Sequence, residues 1–423
     1  MTSKLKIGLV GGGVVGGGTY TILTEKAAEL CEITRVAVRD MKKPRDWKMA
    51  SHTVLTDKWQ DIVYDDSIQL VIEVAGGTGV AKEVVCEALK KGKHVVTANK
   101  ALLATCLDEL KGLVSPYQQL GYEAAVCGGI PIISTLSTHL AKDQVHSVKG
   151  IMNGTTNFML SKMEAEGADY GQVLAQAQAL GYAEADPTAD VEGHDVCAKI
   201  AILAKLAFGI TVPPEKVPTY GISKIQAVDF EYAKILNATV KLLGCAVKNP
   251  DNSIAVYVAP HVVANEHPSG FAGARGPTNA VSIVSDQLGI ASLVGAGAGR
   301  DPTARSVVAD VIRICHTAST QNIQPFPTPT SIATGLSPDF ESAFYVRISA
   351  ADQLGIIKSI GDVAEKRGVS INAVLQNPIK DPKQIAFVVT TDSVKFSSAQ
   401  AFVNDVAQLP FATSPPVLLA ILD

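Results

Sequence analysis

No window of this 423-residue chain approaches the roughly 18 consecutive apolar residues that a membrane-spanning helix needs, so no membrane role is expected. The opening MTSKLKIGLVGGG lacks the long apolar core and cleavage site of a secretory signal, and the expected location is the cytoplasm. Cysteine is sparse. The seven residues, at 31, 86, 106, 127, 197, 245 and 315, form no CxxC pair, and their odd count and even spread suggest neither a zinc site nor a disulfide framework. A basic excess is missing too: 37 Lys and Arg against 41 Asp and Glu leave a net charge of −4, so no nucleic-acid partner is expected. With 18% charged and 47% hydrophobic residues, the composition of disorder is also absent. The chain should fold throughout, and at a usual ~150 residues per domain it should make two to four domains.

What is present is organised in three parts. Leu5 to Val10 reads as a short apolar strand, followed at once by a glycine run, an amphipathic segment to Leu30 and a second strand, Ile33 to Val38. Further strands are expected at Leu70 to Val74 and His94 to Thr97, with a helix from Val80 to Lys91 between them. Strands alternating with helices imply a parallel sheet, so residues 1–130 are expected to form a Rossmann-type α/β nucleotide domain. Residues 131–320 read as a mixed α+β catalytic and dimerisation domain, with helices near 131–141, 155–165, 169–180, 193–208 and 303–318 and strands at Ile254 to Pro260 and Val281 to Ser285. The proline-rich stretch at 321–341 reads as a linker. Beyond it, 342–423 reads as strands at Phe344–Ala350, Val369–Leu375, Ile385–Thr391 and Val417–Leu422 with helices at 353–367 and 396–408. That βαββαβ order is ferredoxin-like.

The run Gly11-Gly12-Gly13-Val14-Val15-Gly16 lies between a strand and a helix, which is the context that gives GxGxxG meaning as a dinucleotide loop. Gly11 permits the tight turn, Gly13 lets backbone approach a pyrophosphate, and Gly16 allows close helix–strand packing, with phosphate at the helix N-terminus. Val14, Val15 and Gly76 are expected to join the cofactor contacts. At the end of the second strand, Arg39 favours a ribose 2′-phosphate, whereas Asp40 one residue on would suit a 2′-hydroxyl. NADP is the preferred cofactor, and NAD is the alternative.

Two lysines are the chemical candidates. In GHDVCAKIAILAKLAFG (193–209), Asp195 and Lys199 lie four apart, which on a surface would be an ordinary ion pair. With Val196 at zero and about 100° per residue, Asp195 near 260° and Lys199 near 300° fall inside the apolar arc, so the pair should be buried or face a cleft. Burial of such a pair needs a reason other than stability, and a lysine there is expected to have its pKa lowered towards neutrality. His194 reads as a flanking residue. Lys100 follows the strand His94–Thr97 at the carboxyl edge of the parallel sheet, where ligands of such folds bind. The carboxylates Glu184, Asp186, Asp190 and Glu192 crowd ahead of the 193–209 helix. Some are expected as helix N-terminal charges, and the cluster can receive a substrate ammonium.

The segments GLVGGGVVGGG (8–18), HVVTANKALLA (94–104), YEAAVCGGIPII (122–133), IMNGTTNFML (151–160), GYAEADPTADVEGHDVCAKIAILAKLAFG (181–209), VGAGAGRDPTARSVVADV (294–311) and YVRISAADQLGI (345–356) together resemble homoserine dehydrogenases that carry a C-terminal ACT domain. The resemblance implies reversible NAD(P)H-dependent reduction of L-aspartate 4-semialdehyde to L-homoserine, on the route to threonine and methionine. It implies Lys199 as the proton donor and acceptor, Lys100 beside nicotinamide and substrate, and Asp195 as a further member of the catalytic group. Glu184, Asp195, Gly181 and Asp190 would hold the substrate, with Gly181 and Gly299 also near the cofactor. Carbonyls of Glu123, Val126, Gly128 and Ile130 would coordinate Na+. For the ACT-like segment it implies a threonine effector at Asp352 and Gly355, with a pure assembly module as the alternative. It also implies a homodimer or homotetramer.

Overall fold

The computed structural model describes residues 4–318, 332–337, 339–379 and 381–423. The first unit is a parallel sheet of six strands. They are β1 (Leu5–Val10), β2 (Cys31–Ala37), β3 (Val54–Thr56), β4 (Leu70–Glu73), β5 (His94–Thr97) and β6 (Leu120–Gly121), in the order β3-β2-β1-β4-β5-β6. Central strands such as β4 and β5 are buried along their whole length because helices cover both faces, which is why they read as continuous apolar runs rather than alternating ones. The strand order reverses between β1 and β4, and that switch point is where ligands of doubly wound sheets sit. Flanking it are α1 (Val14–Lys26), α2 (Val80–Lys90) and α3 (Lys100–Leu113).

The second sheet has 11 strands among the described residues. Its antiparallel part is built from β7 (Val145–Ile151), β8 (Ala238–Lys248), β9 (Ile254–Ala264), β10 (Thr278–Ser285) and β11 (Gly289–Ala296). Against it pack α4 (Gly154–Glu166), with α5 (Tyr170–Ala179) lying on α4, and α6 (His194–Phe208) and α7 (Ala227–Ile235). The helix α8 (Arg300–Thr317) then returns to the first unit, placing Val307, Val308, Val311 and Ile314 among Leu5, Ile7, Leu9, Tyr20 and Leu23.

The last part runs β12 (Glu341–Ala350), α9 (Ile356–Arg367), β13 (Ile371–Gln376), β14 (Ile385–Thr391), α10 (Phe396–Val406) and β15 (Ala412–Ile421). Its strand order, β15-β12-β14-β13, is the ferredoxin-like arrangement that the βαββαβ pattern predicts. Parallel pairing of Ala420 with His261 and Ile421 with Val262 makes this sheet continuous with the antiparallel one. Most of the expected linker at 321–341 lies outside the described residues.

One expected element differs. The helix expected near 131–141 is two short turns, Ile132–Ser134 and the wider Thr135–His139, because Pro131 and a β-branched run disfavour a regular helix. The strands β3, β6, β7, β8 and β11 and the helices α3 and α7 add to the elements that the sequence pattern predicts.

Candidate functional site

The carboxyl ends of β1, β4 and β5 converge on one cleft of about 240 Å³, lined among others by Val15, Gly76, Lys100, Cys127, Gly128 and Lys199. Beyond β1 the chain turns at Gly11, whose φ of +109° suits glycine. A Cβ on Gly16 would stand 2.0 Å from the Gly11 carbonyl oxygen, so α1 can lie this close to the turn only with glycine there. Gly13 begins the helix with no side-chain cap, and nothing lies within 4 Å of where its Cβ would be. The first N–H groups of α1 are therefore open to an anion. Val14 is exposed beside them and Val15 lines the cleft. These features fit the pyrophosphate of a nicotinamide dinucleotide. Arg39 is exposed past the end of β2, while the Asp40 carboxylate accepts the Lys42 and Lys43 N–H groups at 2.9 and 3.2 Å through one oxygen.

The helix α6 carries Asp195 and Lys199 on its buried side, at 9% and 8% exposure, where the helical period predicts them. Lys199 Nζ donates to Asp195 Oδ2 at 2.8 Å and to the Met152 carbonyl at 2.6 Å. Lys100, the first residue of α3, pairs with the other oxygen of Asp195 at 2.6 Å. One carboxylate thus holds two ammonium groups at the cleft. Burial opposes ionisation of Asp195, but Lys199 and Lys100 outweigh it and hold the carboxyl well below the ordinary range. The expected lowering of the Lys199 pKa is corrected. Burial is the largest single effect and pulls it down, but the charge and hydrogen bond of Asp195, together with Cys127 and Asp190, outweigh it and the net shift is upward.

Asp190 joins this group through Asn153, whose Nδ2 donates to Asp190 Oδ1 at 2.6 Å and to Asp195 Oδ2 at 2.9 Å. Burial raises the Asp190 pKa. Asn153 was not singled out by sequence reasoning. The signal was present, because Asn-Gly-Thr-Thr after a strand is a helix N-cap pattern, and Asn153 Oδ1 does accept the Thr156 N–H at 2.8 Å. Glu184 and Gly181 are exposed on the preceding loop, and no described contact joins them to the Asp195 group. His194 is exposed at the start of α6.

The segment 123–130 walls the cleft. The Glu123 carboxylate accepts the Ile133 and Ser134 N–H groups, both at 2.8 Å, and burial raises its pKa. The Gly128 carbonyl accepts the Ser306 hydroxyl at 2.6 Å, and the Ile130 carbonyl accepts the Ile132 N–H at 2.8 Å. Val126 is buried between them, and Cys127 adopts φ of +54° with its thiol pushed up to about 11 by burial. Gly299, at φ of +119°, starts α8. Asp352 and Gly355 lie in an exposed turn before α9, with the Asp352 N–H on the Pro382 carbonyl at 2.7 Å.

Two family models match: homoserine dehydrogenase over residues 131–312, and the NAD binding domain of homoserine dehydrogenase over residues 11–123. Among curated relatives, a homoserine dehydrogenase of Synechocystis is 38% identical over 99% of both chains, and one of Bacillus subtilis is 37% identical over 95% of both. A solved homoserine dehydrogenase from Thiobacillus denitrificans superposes with a TM-score of 0.91 at 35% identity, covering 100% of this chain and 99% of its own. A hyperthermophilic archaeal homoserine dehydrogenase solved in complex with NADPH gives 0.62 at 26% identity, covering 74% of this chain and 97% of its own.

Proposed function

The chain belongs to the homoserine dehydrogenase family, and from that premise we propose how its residues divide the work of the reaction. The reaction is the reversible NAD(P)H-dependent reduction of L-aspartate 4-semialdehyde to L-homoserine, in threonine and methionine biosynthesis. A bound nicotinamide supplies the hydride, since no side chain can store one. Residues Gly11, Gly13, Val14, Val15 and Gly16 hold its pyrophosphate side, with Gly76, Lys100, Gly181 and Gly299 further along. Arg39 receives a 2′-phosphate, which makes NADP the preferred cofactor over NAD. The turn that occupies one oxygen of Asp40 supports this reading.

Lys199 is the proton donor to the carbonyl oxygen in reduction and the acceptor from the hydroxyl in oxidation. The observation that carries this assignment is the bridge Lys100–Asp195–Lys199 at the mouth of the glycine loop. Asp195 keeps the Lys199 ammonium charged and aimed, and the ammonium groups of Lys199 and Lys100 favour the developing alkoxide. Glu184, Asp190, Asp195 and Gly181 receive the amino-acid end of the substrate. Carbonyls of Glu123, Val126, Gly128 and Ile130 form a seat for Na+. The 342–423 unit acts as an ACT domain that senses threonine at Asp352 and Gly355, and the protein works in the cytoplasm as a homodimer or homotetramer. Residues 1–130 serve the nucleotide, 131–320 the substrate and assembly, and 321–341 connects them to the last unit.

The test is a steady-state assay of homoserine oxidation with NADP+ and with NAD+, with and without threonine, on the parent and Lys199→Ala. Loss of a general acid–base group is expected to cut turnover at least ~100-fold while NADPH affinity stays near the parent value. Turnover retained in that variant would remove Lys199 from the chemistry.

A further inference from the structure

Glu73, the last residue of β4, is fully buried at 0% exposure and has no ion-pair partner among the described residues. Burying a carboxylate without a cation is costly, and a neutral side chain of the same shape would be cheaper to bury. Its hydrogen bonds show what it holds. Glu73 Oε1 accepts the N–H groups of Ala75 and Gly76 at 2.8 and 2.9 Å, which fixes the turn leaving β4. Gly76 and Gly77 follow with φ of +77° and +81°, and the Asn99 amide closes the turn on the Gly77 carbonyl at 2.7 Å. The same turn supports the phosphate loop, since a Cβ on Gly11 would stand 2.8 Å from the Ala75 nitrogen.

The other oxygen, Oε2, accepts the Thr97 hydroxyl at 2.7 Å. That hydroxyl in turn accepts the Asn99 N–H at 3.1 Å, and Asn99 Oδ1 accepts the Leu102 N–H at 3.1 Å to cap α3. Lys100 is the first residue of that helix. A single side chain therefore stands behind both walls of the cleft, with Gly76 on one and Lys100 on the other.

We propose that Glu73 is a positioning residue for hydride transfer. Its two oxygens separately fix the Ala75–Gly77 turn under the cofactor and, through Thr97 and Asn99, the helix start that aims Lys100 at Asp195. The proposal rests on the reading of Lys100 and the glycine loop given above. Only a carboxylate satisfies both arms. With Glu73→Gln, the amide oxygen can keep Ala75 and Gly76, but the amide nitrogen must donate to Thr97, whose hydroxyl hydrogen then loses its acceptor.

The experiment measures NADPH affinity by fluorescence titration, together with kcat and KM for homoserine, on Glu73→Gln, Thr97→Val, Glu73→Ala and Lys100→Ala. Glu73→Gln and Thr97→Val are expected to lower kcat about ten-fold with NADPH affinity within about two-fold of the parent, as a misaimed Lys100 would give. Glu73→Ala is expected also to weaken NADPH binding about ten-fold or more, because the turn is released. Turnover within two-fold of the parent in both Glu73→Gln and Thr97→Val, with Lys100→Ala impaired, overturns the Lys100 arm. Parent-like NADPH affinity in folded Glu73→Ala overturns the cofactor arm. Full turnover in Lys100→Ala would instead overturn the underlying reading of the site, and the Lys100 arm with it. A melting-temperature loss in folded Glu73→Gln and Thr97→Val, with both kinetic readouts unmoved, would mark a purely structural residue.

Discussion

At Lys199 burial is the largest single effect on the proton, but the charge and hydrogen bond of Asp195, with Cys127 and Asp190 beside it, together outweigh burial. The ammonium is therefore charged through the neutral range, ready to donate in reduction. In oxidation it must first lose its proton, so homoserine oxidation should rise with pH into the alkaline range. Asp195→Asn removes the largest of the raising effects and leaves burial, with the Lys100 ammonium still close by. The prediction is that the alkaline limb of the kcat profile for homoserine oxidation moves to lower pH in this variant, alongside a loss of rate. A limb that stays in place or moves upward would show that Asp195 does not control the Lys199 proton. This coupling also explains what the sequence left illegible. The period and spacing of α6 place Asp195 and Lys199 together on its apolar side, but the sign of the shift depends on how burial balances against the several charges gathered around Lys199, which no spacing weighs. Glu73 and Asn153 escaped notice for a related reason. Each acts through residues from other elements: the N-cap pattern at Asn153 marks a helix start but not its hold on Asp190 and Asp195, and a lone Glu at a strand end carries no mark of its partners.

Among the elements, the parallel strands β1, β2, β4 and β5 and the helix α6 were readable because both faces or one broad stripe are apolar. The strand β8 was not: it is buried for nine of its first residues, yet Lys241 interrupts its apolar run. Lys241 is only 1% exposed, donates to the Ala274 carbonyl at 2.8 Å and to Asn157 Oδ1 at 3.3 Å, and has its pKa lowered to about 8 by burial. Glu164 opposes that shift and Arg275 adds to it. The folded state therefore sheds this proton before the unfolded chain does, so between about pH 8 and the ordinary lysine range the unfolded chain binds more protons. Stability contributed at this site should rise with pH in that window. Measured by urea denaturation, the gap between the parent and Lys241→Met should move in the parent's favour from pH 7.5 to 9.5, by about 3 kcal/mol at most. A gap that is flat with pH would mean that the lysine keeps an ordinary pKa inside the sheet.

At the level of the whole molecule, the last unit is joined to the middle one by more than a chain connection. Besides the parallel pairing of β15 with β9, a buried charge pair crosses the junction. Arg347 of β12 donates to Asp229 of α7 at 2.7 Å, and the Tyr345 hydroxyl reaches the same carboxylate oxygen at 2.9 Å. Arg347 also donates to the Lys224 carbonyl at 2.9 Å, and the pair is 3% and 0% exposed. The ferredoxin-like pattern of the last 80 or so residues could be read from the sequence, but this bridge could not, because its partners lie 118 residues apart. A buried pair adds little stability by itself, yet breaking one side leaves a bare charge in the interior. Arg347→Met should therefore cost about 3–5 kcal/mol, whereas Asp229→Asn with Arg347→Met together should recover much of that loss. Denaturant unfolding of the two single variants and the double variant reads this directly. If the losses simply add, the two residues are not coupled across the junction. If the double variant recovers, the last unit is held to α7 by a contact that cannot loosen on one side alone. Anything bound near the exposed turn at Asp352 and Gly355 would then act on a unit already locked to the catalytic part.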